Sequence, residues 1–168
     1  MRSFCKKIEI NKRGASVRYE DLLSKYDDKL IIKETDLPPS LKGLCADNVI
    51  LISNDLSSKQ KLEVLGEEIA HYEITYGDIR NQNNEFNKKM EFKARRHSYE
   101  LVISLDDLIK ALKTGIELVY EISEYFEVSI EYFLNVIAYY KSKYGLYVDY
   151  GKYRIYFEPL SVTELELT

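Results

Sequence analysis

LGEEIAHYE, residues 65–73, falls one residue short of H-E-x-x-H, the helical pattern in which two histidines bind zinc and the glutamate between activates a water. The five positions read Glu67, Glu68, Ile69, Ala70 and His71. Residues i and i+4 of a helix stand one above the other, so Glu67 and His71 can reach one metal ion from the same face. Glu68 is turned from Glu67 by about 100° and is free for another role. A carboxylate oxygen ligates zinc at about 2.0–2.2 Å, so Glu67 keeps a ligand where the first histidine would stand and adds a negative charge.

Working outward, Ser57 and Gln60 form a capping box ahead of this helix, with Leu56 placed to pack back on its first turn. Leu62, Leu65, Ile69 and Tyr72 give it an apolar stripe apart from the metal candidates. Upstream, GLCADNVILIS predicts a hairpin turning at Asp47-Asn48, with Val49–Ser53 as its second strand. Further back, Tyr19, Leu22, Leu23 and Tyr26 recur at helical spacing, and Leu37-Pro38-Pro39-Ser40 breaks the chain into an extended loop. The polar, basic stretch up to Ser16 reads as a loose arm. Downstream, Gly77 to Asn87 is polar and turn-rich, and a second helix is expected from Lys88 to about Ile103, with Met90, Ala94, His97 and Leu101 on one side.

Catalytic zinc normally takes three protein ligands, so Glu67 and His71 need a third. Glu91, just off the apolar side of the second helix, is the candidate donor; the alternative is a solvated carboxylate paired with Arg95 one turn on. His97 lies about 240° round the helix from Glu91 and reads as a packed histidine. With two histidines in the chain, a three-histidine site is excluded.

Ser104 and Asp107 can cap a helix running to about Lys113, which Thr114-Gly115 ends. GIELVYEISEYFEVSIEYFLNVIAYYKSKYG then reads as two helices joined at Glu127-Val128-Ser129, a helix-turn-helix layout. A DNA reader would carry Arg, Lys, Asn or Gln at the front of its second helix. Here that front is SIEYFL, with Glu131 and no basic residue before Lys141, so a packing unit or protein-docking surface is expected and direct DNA binding is not. LYVDYGKYRIYFEP predicts a hairpin around Tyr150-Gly151, and VTELELT a frayed tail.

A chain of 168 residues, 45% hydrophobic and 31% charged, matches one domain with a buried core. Its net charge of −4 argues against a whole-surface attraction to nucleic acid or acidic lipid. Cys5 and Cys45 form no C-x-x-C and suit a reducing compartment, and no apolar run approaches the roughly 18 residues of a membrane span. No signal-peptide core of about 7–15 apolar residues follows the basic start, so a cytoplasmic location and no membrane contact are expected. The fold expected is α+β: a small β-hairpin or sheet on a zincin-like helix pair (17–103), then a helical unit (104–145), then a C-terminal hairpin and tail (146–168), with residues 1–16 as the arm.

LKGLCADNVILISNDLSSKQKLEVLGEEIAHYEITYGDI (41–79), followed by EFKARRHSYELVISLDDLIKAL (91–112), resembles the ImmA/IrrE family of metallopeptidases in its phage and integrative-element form. The likeness runs from about Tyr19 onward and includes VSIEYFLNVIAYYKSKYG. It implies that Glu68 is the general base and that His71 and Glu91 are metal ligands, with Glu91-Phe92-Lys93-Ala94 matching the family's second element. Glu67 occupies the first ligand position in an E-E-x-x-H variant. It also implies one Zn2+ per chain, and hydrolysis of a peptide bond in a helix-turn-helix-type repressor of a phage or mobile element, an anti-repressor role. The alternative is a catalytically weak or inactive relative that binds and sequesters the repressor through its C-terminal helices. A carboxylate in place of imidazole lowers the effective charge on the metal, so catalysis would weaken or lean harder on Glu68.

Overall fold

Ser57 and Gln60 close the capping box reciprocally: the Gln60 side-chain oxygen accepts from the Ser57 backbone N–H at 3.0 Å, and the Ser57 hydroxyl accepts from the Gln60 N–H at 3.4 Å. From there α2 (Ser58–Thr75) runs through the motif. The structure, a computed structural model, describes residues 18–75 and 84–165. The expected arm, most of the turn-rich segment and the end of the tail lie outside them. Before α2 come α1 (Tyr19–Tyr26), β1 (Ile31–Thr35), β2 (Gly43–Ala46) and β3 (Val49–Ser53). After it come α3 (Asn84–Val102), α4 (Leu105–Lys113), α5 (Val119–Tyr125), α6 (Ile130–Tyr144), β4 (Tyr147–Tyr150), β5 (Tyr153–Phe157) and β6 (Leu160–Glu164). The α+β class expected from the sequence is the one observed.

The predicted hairpin forms, with Leu44 opposite Leu51 and Cys45 opposite Ile50. Asp47 takes a left-handed φ of 53° in its turn, which a short polar side chain tolerates. The sheet has a third strand for which the sequence carries no reading: β1 lies parallel to β3, in the order β1-β3-β2. Ile50 and Ile52 of the central strand are fully buried against Leu62, Leu65 and Ile69 of α2 in one hydrophobic cluster. β2, on the edge, lies against the same helix: a Cβ built on Gly43 would stand 2.5 Å from Val64 Cγ1 and 2.8 Å from Glu68 Oε1.

α3 starts at Asn84, a turn earlier than expected, and packs closely on α2. Ala70, Ala94 and Ser98 are buried at 0–1% exposure, and a Cβ on Gly66 would approach Val102 Cγ2 to 2.6 Å. Small side chains therefore let the two backbones close up. Gly66 meets Val102 and His71 meets Glu91, so the helices run antiparallel.

Ser104 accepts from the Asp107 N–H at the start of α4, as the sequence predicts, and Ser129 accepts from the Tyr132 N–H at the start of α6. The Glu127 turn joins α5 to α6 with a left-handed φ of 56°. Phe126, Val128, Phe133, Val136 and Tyr140 from this unit are buried in the same cluster as the α2 stripe. The described part of the tail expected to fray forms a strand instead: Leu160–Glu164 pairs with β5, Ile155 opposite Val162, completing a second antiparallel sheet. Leu160 and Val162 supply the partly buried side chains that make this pairing worthwhile.

Candidate metal centre

α2 presents Glu67, Glu68 and His71, and α3 brings Glu91 to them. His71 Nε2 and Glu91 Oε2 are 3.5 Å apart, although Glu91 is 64% exposed and has no other anchor among the described residues. Two tetrahedral ligands at ordinary zinc distances stand about 3.3 Å apart, so this pair has the spacing of donors that share an ion. Glu67 does not join them. Its Oε1 lies 3.9 Å from Arg95 Nε. Among the described residues, no three His, Cys, Asp or Glu side chains stand together as a cation site. The chemistry of the donor set fits zinc, and in spacing His71 and Glu91 fit; Glu67 would have to leave Arg95 to complete the set.

Glu91 is solvent-exposed, as in the alternative considered for it, but its ion-pair partner is His71 rather than Arg95. Arg95 reaches across to Glu67 on α2, and Glu91, one turn before it, faces His71. Residues on one helix face at i and i+4 compete for partners on the opposing helix, and here the interhelical contacts win over the weak intrahelical pair.

Glu68 sits on the β2 side of α2. Burial pushes its carboxyl up to about 7, and the negative charges of Glu67 and Glu91 push the same way. The Cys45 backbone N–H donates to it, which favours the ionised form but does not overcome the burial. Burial raises Glu67 too, against the opposing charges of Arg95 and His71. A half-buried carboxyl that titrates near neutrality, hydrogen-bonded to an edge strand, can take up and return a proton at physiological pH.

His97 is away from this cluster, as the sequence predicts, but it is more than a packed ring. Its Nε2 contacts Glu73 Oε2, and Glu73 Oε1 accepts from Tyr26 Oη at 2.6 Å, so the histidine ties α3 to α2 and α1. Two contributors escaped the sequence reading. The Arg95–Glu67 pair spans two helices, and the Cys45 N–H carries no side-chain signal; only strand register brings it to Glu68. A further link, from Glu63 Oε1 to the Ser129 N–H at 2.6 Å, joins the site helix to the start of α6.

The family profile for the IrrE N-terminal-like domain matches residues 10–137, which include the E-E-x-x-H helix, Glu91 and most of α6. No curated protein matches the chain. No helix of the described residues is long and apolar enough to cross a membrane. With the profile covering most of its length, the chain belongs to peptidase family M78, a metallopeptidase-type family, through its IrrE N-terminal-like domain.

Proposed function

We propose that the protein is a zinc-dependent peptidase that hydrolyses a peptide bond in a helix-turn-helix-type repressor of a phage or mobile element. The observation that carries this reading is the 3.5 Å approach of His71 to Glu91 beside a glutamate whose carboxyl titrates near 7. Glu67, His71 and Glu91 would hold the ion, which when bound supplies Lewis-acid polarisation of a water and of the scissile carbonyl. Glu68 accepts the proton that the attacking water loses and returns it to the leaving amine. Deprotonated Glu68 is needed for the first transfer and its conjugate acid for the second; in the metal-free fold its carboxyl stands at about 7. β2 pairs with β3 on one side only among the described residues, so its edge offers an extended peptide a strand to lie beside. The repressor as substrate rests on the resemblance to ImmA/IrrE proteins.

A specific observation favours a second reading. Ile130 and Leu134, one turn apart on α6, are 48% and 50% exposed, which suits a helix that holds a partner without cutting it. Elemental mass spectrometry of protein purified without added zinc or chelator separates the two. About one zinc per chain is expected, lost in His71→Ala. Glu68→Gln should keep the zinc and the fold while cleavage disappears. No zinc even after it is supplied, or biological activity intact in Glu68→Gln, would leave sequestration as the better account.

A further inference from the structure

We propose that the outward face of α3 is the docking surface for an acidic stretch of the polypeptide on which the site acts, an inference that rests on the peptidase reading for what happens next but not for the binding itself. Between Lys88 and Arg96 the helix carries five cations and one carboxylate, a net +4. The whole chain carries −4, so everything else amounts to −8. Lys88, Lys89, Phe92, Lys93 and Arg96 fall within about 140° of one another round the helix, and Lys88, Lys89, Phe92, Lys93 and Arg96 are all exposed.

Arg95 turns inward to Glu67, but the three lysines of the face are not used internally. Lys59, Lys61, Lys110, Lys141, Lys143 and Lys152 each have a carboxylate partner. Lys88, Lys89 and Lys93 have none among the described residues. In their midst Phe92 is 57% exposed, with the Arg96 guanidinium 4.0 Å from its ring centroid. An exposed aromatic under a cation gives an apolar side chain a place to rest while carboxylates on either side meet lysines.

The face adjoins the site, because Glu91 and Arg95 lie at its inner border and contact α2. A segment held there lies along the helix that carries Glu91 to His71. Charge complementarity selects an anionic occupant, and extent selects a polypeptide. The nine residues span about 12 Å, enough for roughly four extended residues. The remaining residues carry net −8, which weighs against a polyanion longer than the patch.

The test is fluorescence anisotropy of a short fluorescein-labelled Glu-rich peptide containing one Leu, titrated with the full chain at low salt. The same peptide with Gln for Glu serves as control. The Glu peptide should bind, the Gln peptide should not, and Lys89→Glu with Lys93→Glu should weaken binding roughly tenfold with circular dichroism and zinc content unchanged. Added salt should weaken it in the wild type as well. Equal binding of both peptides, or an affinity indifferent to the charge reversals, would overturn the proposal. So would a single-stranded oligonucleotide that binds as tightly at the same salt and displaces the peptide. Binding that persists in His71→Ala would keep the docking face even if the chain proves to hold no zinc.

Discussion

Glu68 links a sequence position to a measurable proton. Its ordinary value near 4.5 becomes about 7 in the fold, through burial first and its neighbours' charge second. The folded chain therefore keeps a proton that the unfolded chain gives up between those two values, so without metal this group's contribution to stability falls as pH rises from about 4.5 to about 7. Glu68→Gln removes that cost. In chelator, the variant should match the wild type near pH 4.5 and exceed it above pH 7, by about 1–2 kcal/mol after allowance for partial exposure. Thermal unfolding across this range checks it, and a gap that does not widen with pH would refute the assignment. The helical spacing put Glu67 and His71 on one face of the helix and set Glu68 apart. It could not show that Arg95 engages Glu67, because that depends on how two helices cross, which no single-helix pattern contains.

At the scale of elements, two capped starts were legible because capping is local: Ser57 with Gln60 and Ser104 with Asp107 act within three residues. β1 was not legible. Its five residues, IIKET, hold one short apolar pair, and the partner that makes them a strand lies 18 residues on, in β3. The same distinction applies to the α2–α3 seam, where Gly66 and Ala70 sit four apart opposite Ala94 and Ser98, also four apart. That seam sets the His71–Glu91 approach. Gly66→Ala would force a methyl against Val102 and part the helices there, with a cost of about 1–3 kcal/mol. Urea unfolding should show this loss, and zinc binding should weaken along with it. Full stability together with unchanged zinc affinity would mean the seam does not position the donors.

Over the whole molecule, the segments expected from the sequence share one core. The helix-turn-helix layout of α5 and α6 was readable from the break at Glu127, but its attachment was not. Glu63 of α2 accepts from the Ser129 N–H, and Tyr140 Oη donates to the Ile103 carbonyl oxygen at 2.7 Å. The C-terminal sheet joins through aromatic stacking: the Phe157 ring lies 6.0 Å from that of Tyr140, nearly parallel, and 6.4 Å from that of Tyr144. β5 is thus connected through α6 to the end of α3, and the core runs from Leu22 to Phe157. Such continuity predicts cooperative unfolding. Phe157→Ala should remove about 3–4 kcal/mol, because a buried ring is lost and Tyr140 and Tyr144 lose the surface they stack on. That loss should be felt at the other end of the chain. Hydrogen exchange read by mass spectrometry should show β5 and the centre of α2 opening with the same free energy in the wild type, and both falling together in the variant. If β5 alone were to lose protection while α2 kept its own, the C-terminal sheet would be a separately melting appendage, and the site helix would owe it nothing.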